Sequence, residues 1–289
     1  MSYRLQVDQK EATILRVLDG LWESHEWVPA NLLEEKVHIN PRRVRAMVRG
    51  LENRGWVEWV SSGKMGEPSI KLKETGKDAL AVWDLIKQGV IDDLGHVVGE
   101  GKESVVVLAF KDDRKVALKF HRYYSGEFTR IKDSLAYAAI EAWRKRTFGR
   151  VSKDNRPIVI ERAKAQIEYW ALGKLEGKVK VPRPLGINRH VVAMEFLGDD
   201  LTAPLMSKFK KGKDQVEGRK LVDEIVKEYE KAVKMGVVHG DMSEYNVVVW
   251  KGMPWMIDWP QALPQNADGA DALLERDREK LKRLSEKFS

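Results

Sequence analysis

There is no cysteine among the 289 residues. That excludes a disulfide framework, a disulfide-linked partner, thiolate metal sites and a cysteine nucleophile, and it leaves the cytoplasm as the expected compartment. Also missing is any apolar run approaching the ~18 residues of a membrane span, and no signal-peptide h-region is visible. The first thirty residues instead carry charges through every helical turn. No membrane partner is expected, and the chain reads as soluble and unprocessed. What is abundant is charge: 51 Lys and Arg against 44 Asp and Glu, net +7, with 33% of residues charged. The usual charged share is about 25%. With 43% hydrophobic residues the chain can still fold, and its length suggests about two domains.

The positive excess is sorted. Residues 1–90 hold 14 basic and 13 acidic residues, whereas residues 122–164 hold 11 basic and 5 acidic. Within the first segment, residues 40–54 collect Arg42, Arg43, Arg45, Arg49 and Arg54 against Glu52 alone. Two separate basic stretches point to a polyanion as partner; the competing reading of each is a solvated helix face.

Residues 11–22 put Ile14, Leu15, Leu18, Leu21 and Trp22 on one helical stripe, and a second helix is expected near Pro29, burying Leu32 and Leu33. The third has Asn40 as N-cap, Pro41 at the first helical position, an apolar stripe at Val44, Met47, Val48 and Leu51, and Gly55 as the stop. Arg42, Arg45 and Arg49 fall on its opposite side. Trp56 to Val60 and Ser69 to Leu72 read as strands joined by a Gly/Ser/Pro turn, and Thr75 is the expected cap of a fourth helix. Helix, helix, exposed basic helix and hairpin is the order of a winged helix, whose third helix can enter a major groove or lie along phosphates; the competing reading is a module that only packs against the rest of the chain or a protein partner. The expected domain is 1–90, with Lys87 to Gly95 as linker.

Beyond it the pattern changes to short strands. Val97 to Val105 is a strand, a turn with Gly99 and Gly101, and a second strand; Val116 to Phe120 is a third, with Lys119 near its end. Glycines let backbone approach phosphates and a lysine can neutralise them, although a plain tight hairpin would also explain the glycine pair. Further on stands His239-Gly240-Asp241-Met242-Ser243-Glu244-Tyr245-Asn246, and twelve residues after Asn246 comes Asp258, in Ile257-Asp258-Trp259-Pro260. Phosphoryl transfer of the kinase type needs an Asp for the attacking hydroxyl, an Asn five positions later for Mg2+, and a second metal-binding Asp on a strand turn. Asp241, Asn246 and Asp258 have that order and spacing. A helical carboxylate must also pair with Lys119. Residues 158–175 read as that helix, with Glu168 preferred over Glu161 because it sits mid-helix beside Ile167, Ala171 and Leu175.

Taken together, Gly99 to Ser104, Val116 to His121, His239 to Asn246 and Ile257 to Gln261 resemble the motifs of the RIO family of atypical kinases, in its second, winged-helix subfamily and archaeal form. The resemblance covers essentially the whole chain. It implies an α+β architecture: a winged helix followed by a two-lobed, truncated protein-kinase-like domain over 91–289, with lobes at about 91–194 and 198–289. It implies a serine/threonine phosphotransferase and ATPase using ATP with Mg2+ or Mn2+. It further implies binding to the pre-small ribosomal subunit and its rRNA late in maturation. Gly99, Glu100, Gly101, Lys102, Glu103 and Ser104 would form the phosphate loop. Glu195 and Leu197 would hold adenine through backbone groups, with Met194 at the back of the pocket. Residues 122–155 would be a mobile loop in which Ser125, Thr129, Ser134 and Ser152 are candidate autophosphorylation sites.

Departures from ordinary protein kinases matter too. Ser104 stands where a third glycine is usual, Gly240 replaces the catalytic-loop arginine, Trp259-Pro260 replaces Phe-Gly, and no Ala-Pro-Glu motif is present. With 31 residues after Asp258, a peptide-docking lobe is not expected. Two other readings compete: a small-molecule kinase of the aminoglycoside or choline type, and a DNA-binding regulator whose kinase-like domain senses ATP. The winged helix argues against the first, and the full set of Lys119, Asp241, Asn246 and Asp258 against the second.

Overall fold

Asp8 opens the first helix: its carboxylate accepts from the Lys10 and Glu11 amides while Glu11 returns to the Asp8 amide, a capping box that fixes the start of α1, Gln9–Gly20. The computed structural model describes residues 7–61, 66–123 and 157–289. After α1 come β1 (Val28–Pro29), α2 (Ala30–Val37), α3 (Pro41–Asn53), β2 (Val57–Val60), β3 (Ser69–Leu72) and α4 (Glu74–Lys87). Asn40 caps α3 by accepting from the Arg42 amide at 3.0 Å. The strands form an antiparallel sheet in the order β1-β3-β2. Ile14, Leu15, Leu33, Val48, Leu51 and Ile70 share one core. This is the element order a winged helix has.

Three local expectations need correction. The first helix ends at Gly20, so Leu21 caps it and Trp22 lies beyond. Thr75 is inside α4 and does not cap it: its hydroxyl donates to the Gly55 carbonyl at 2.6 Å, and Lys73 stands at the N-cap without a side-chain bond. The stretch 87–95 is not all linker, because Ile91 is fully buried and β4 (Asp93–Glu100) begins within it. The chain divides into a unit up to Leu94 and a second from Gly95.

In the second unit, β4, β5 (Ser104–Lys111), β6 (Arg114–His121), β7 (Pro184–Asn188) and β8 (Val191–Glu195) make a five-stranded sheet in the order β4-β5-β6-β8-β7. The helix α5 (Pro157–Leu175) packs on β6, β7 and β8. A helical half follows: α6 (Gln215–Lys234), the hairpin β10 (Val247–Trp250) with β11 (Met253–Met256), the pair β9 (Val237–Val238) with β12 (Leu263–Pro264), and α7 (Ala270–Lys287). Trp259, Tyr229, Ile225, Leu281 and Phe288 belong to one core with Ile167, Leu172 and Val192 of the sheet half. Ser125, Thr129, Ser134 and Ser152, and most of the basic stretch 122–164, lie outside the described residues.

Candidate active site

Strand periodicity puts residues 117, 119 and 121 of β6 on one face, and two of them turn to the same carboxylate. Lys119 Nζ lies 2.6 Å from Glu168 Oε1, and His121 Nε2 lies 2.8 Å from Glu168 Oε2. Lys119 also reaches Asp258 Oδ1 at 2.8 Å. The Trp259 amide completes the set by donating to Glu168 Oε1 at 3.0 Å. Glu168 therefore ties the central strand to the segment after Asp258. Burial alone would push the Lys119 ammonium down, but the Asp258 and Glu168 carboxylates outweigh it and hold it above its usual range. Burial likewise works against Glu168 ionisation, and Lys119 beside it reverses the balance, so the carboxyl is held well below the usual range. An ionised carboxylate can only accept, so His121 is the donor through Nε2–H. Burial pushes its pKa down, against the pull of Glu168.

Glu161, the rival carboxylate, accepts from the Tyr123 amide at 3.1 Å instead. Between it and Glu168, Lys164 is buried and reaches Glu103 at 3.2 Å. Residues 161, 164 and 168 share one helical face, so α5 touches both the end of β6 and the Gly99–Ser104 turn. That turn is closed by the Gly101 amide donating to the Ser104 carbonyl. A Cβ on Gly99 or Gly101 would meet protein atoms no nearer than 3.7 Å, and neither has a left-handed φ. The turn's own fold does not demand glycine.

The loop 239–246 is fixed from several sides. His239 Nε2 lies 3.0 Å from the Ile257 carbonyl, which can only accept, so Nδ1 carries the lone pair that receives the Asp241 amide at 3.3 Å. Asn246 Nδ2 donates to the Asp241 carbonyl at 2.8 Å, which leaves Oδ1 as its free oxygen. Gly240 has φ +81°, and a Cβ there would sit 2.6 Å from the Gln261 carbonyl oxygen. The arginine usual in kinases cannot occupy this backbone. Asp277, fully buried on α7, accepts from the Gly240 amide at 2.8 Å, the Met242 amide at 2.9 Å and the Tyr229 hydroxyl at 2.8 Å. Lys280 Nζ lies 2.8 Å from Asp241 Oδ1. Asp258 has φ +68°, an uncommon conformation for a residue with a Cβ, and its side chain is 42% exposed.

At the end of β8, Met194 is buried opposite Ala117, and the Glu195 amide donates to the Arg183 carbonyl at 2.8 Å. The Leu197 carbonyl accepts from Ala203, while its N–H has no partner among the described residues. Gly198 follows because a Cβ there would lie 2.1 Å from the Leu201 carbonyl oxygen. Among the described residues no three carboxylates or imidazoles converge on a metal-sized space. One carboxylate and one amide oxygen, from Asp258 and Asn246, suit a hard cation whose other ligands are phosphate oxygens and water. The residues present thus fit Mg2+ held together with a nucleotide, and do not form a cage of their own.

The RIO domain model matches residues 104–288. The chain belongs to the RIO family. The RIO-type serine/threonine-protein kinase Rio2 of Methanocaldococcus jannaschii is 30% identical over 259 residues, covering 88% of this chain and 87% of that protein. The serine/threonine-protein kinase RIO2 of Caenorhabditis elegans is 26% identical over 258 residues, 88% of this chain and 45% of that protein. The crystal structure of the Rio2 kinase–ADP/Mg2+–phosphoaspartate complex from Chaetomium thermophilum superposes with a TM-score of 0.72 at 22% identity. It covers 97% of this chain and 80% of that one. RIO membership answers the small-molecule-kinase and DNA-regulator readings with a kinase family, and the fold is that of the Rio2 kinases. Five residues that contact the site were given no role from the sequence: His121, Lys164, His239, Asp277 and Lys280. His121 carried a signal, since it follows Lys119 by two on the same strand face. Asp277 and Lys280 carried none, because α7 reads as an ordinary charged surface helix.

On the first unit, Arg42, Arg43, Arg45 and Arg49 of α3 are exposed. They are not equivalent: Arg45 lies 2.7 Å from Glu34, and Arg54 pairs with Glu11. Arg42, Arg43 and Arg49 enter no ion pair among the described residues.

Proposed function

We propose that the chain is an atypical serine/threonine protein kinase and ATPase, dependent on Mg2+, that acts on the pre-small ribosomal subunit during late rRNA maturation. The observation that carries the catalytic part is the convergence of Lys119, Glu168 and Asp258 within 2.8 Å in the same unit as an Asp241–Asn246 pair. The M. jannaschii relative, named a serine/threonine-protein kinase, and the ADP/Mg2+ of the C. thermophilum structure support it. In this reading the Gly99–Ser104 turn and Lys119 hold the ATP phosphates, and Glu168 orients Lys119. The Leu197 N–H and the Glu195 backbone meet adenine, with Met194 behind. Asn246 Oδ1 and Asp258 would hold Mg2+, which supplies electrostatic stabilisation to the phosphoryl oxygens. Asp241 accepts or orients the proton of the attacking hydroxyl. Asp241→Ala should cut turnover to a small but measurable residual rate while nucleotide affinity stays near wild type; equal loss of both would refute this role.

A second reading of the same site is favoured by the phosphoaspartate named in the C. thermophilum structure. An Asp258 oxygen attacks the γ-phosphorus, the bond to the β–γ bridging oxygen breaks, and ADP leaves. Water then cleaves the acyl phosphate to free phosphate and the carboxylate. In the first reading Asp258 would also hold Mg2+, and a carboxylate engaged with a cation is the poorer nucleophile, so slow turnover is expected by this route. Label from ATP that survives hydroxylamine in full would exclude it. The ribosomal part rests on the family resemblance and on the basic face of α3. Crosslinking of wild type and Asp241→Ala to rRNA in cell extract, with and without ATP, tests it. Wild type should leave the particle on ATP addition and Asp241→Ala should stay; no crosslink to small-subunit rRNA in either would refute it.

A further inference from the structure

Four side chains of α7 reach one short stretch of chain. Arg276 donates to the Gly240 carbonyl, and Asp277 accepts the Gly240 and Met242 amides. Lys280 meets Asp241 Oδ1 and Lys287 meets Glu244 Oε2, each at 2.8 Å. Positions 276, 280 and 287 are spaced by four and seven, so they rise along one helical face, with Asp277 beside it. The loop 240–244 is thus held by a helix that follows it some thirty residues later. Three of these side chains secure backbone or a neighbouring side chain. Lys280 alone touches the carboxylate to which the chemistry is assigned.

We propose that Lys280 is a positioning residue for phosphoryl transfer, an inference that rests on the role given to Asp241 above. With Oδ1 engaged by the ammonium and Oδ2 3.5 Å from Asn246 Nδ2, the carboxylate is pinned at one edge and loosely flanked at the other. That leaves Oδ2 as the oxygen for the incoming hydroxyl. The ammonium also offsets a physical difficulty of the site: an unpaired Asp241 carboxylate would repel the triphosphate it must work beside. A role in folding explains the contact poorly, because Lys280 and Asp241 are 35% and 43% exposed and such pairs contribute little to stability.

The test uses the full chain with Lys280→Met, Lys280→Arg and each combined with Asp241→Ala. Lys280→Met should lower kcat roughly 10–100-fold, the size of effect that misplacement of a reacting group produces. KM for ATP, the affinity for Mg2+–ADP and the unfolding midpoint should stay near wild type. Lys280→Arg should recover most of the loss. In the Asp241→Ala background Lys280→Met should cost nothing further, since the lysine acts through that carboxylate. Wild-type kcat in Lys280→Met alongside a strongly impaired Asp241→Ala overturns the inference alone. So does a rise in KM without a fall in kcat, an added loss in the Asp241→Ala background, or an equal loss in Met and Arg variants with a lowered midpoint. Full activity in Asp241→Ala overturns instead the reading beneath it.

Discussion

The His121 imidazole is buried beside an ionised Glu168, yet burial wins and its pKa falls below the ordinary 6.5. The ring is therefore a neutral donor in the folded protein. Because the folded value is depressed, the unfolded chain binds the extra proton first as the pH drops, so stability is lost on acidification below about 6.5. Glu168, also depressed, adds its own loss only below its ordinary 4.5. Between pH 8 and 5 the two are separable. Urea midpoints of the wild type should fall across that window, and His121→Gln, which keeps a donor but cannot titrate, should show a flatter profile. An identical slope in both proteins would mean that another group titrates there. Lys119 and Glu168 were legible as residues because spacing and the demands of phosphoryl transfer single them out. The state of His121 was not: its place on the Lys119 face brings the ring towards the helix, but does not say that burial outweighs the pull of Glu168 on its proton.

At the scale of elements, α7 is where sequence and structure part. Glu275-Arg276-Asp277-Arg278-Glu279-Lys280 alternates charge as a solvated helix face does, and Arg278 indeed pairs with Glu230 at 2.8 Å on the outside. Asp277 points the other way and is fully buried. Burial and the adjacent Asp277 carboxylate push the Tyr229 hydroxyl well above its ordinary value, so it stays a donor. Asp277→Asn must then set an amide N–H against at least one of three donors, from Tyr229, Gly240 or Met242. The mismatch should cost about 1–3 kcal/mol in urea unfolding, and kcat should drop because the loop carrying Asp241 loses its anchor. A variant as stable and active as wild type would show that the loop holds itself. The hairpin and helix elements were readable from caps, stripes and turns: Asn40, Pro41 and Gly55 for α3, and the apolar run for β8. Which helix serves which loop was not, because that depends on tertiary packing between segments with no local signature in common.

For the whole molecule, the chain divides between a unit up to Leu94 and one from Gly95, and the proposed function divides with it. Catalysis draws only on residues of the second unit; nucleic-acid contact, in this reading, draws on α3 of the first. The fold narrows the arginine patch that composition suggested. Arg45 is already neutralised by Glu34, whose hydrogen bond and charge hold the guanidinium pKa above its ordinary value. Arg42, Arg43 and Arg49 are the ones left for phosphate. Replacing those three with Gln should therefore weaken binding to small-subunit rRNA and make its salt dependence shallower. Each lost phosphate contact removes roughly 0.7–0.9 from the log–log slope, so the triple variant should lose roughly 2–3. Arg45→Gln should change the slope much less, because its partner Glu34 already screens it. ATP hydrolysis by the free protein should be unaffected in all of these variants, since none touches Lys119, Asp241, Asn246 or Asp258. An unchanged slope in the triple variant would return α3 to an ordinary solvated helix. A slope that shifts as much in Arg45→Gln alone would mean that the ion pair with Glu34 opens when nucleic acid arrives.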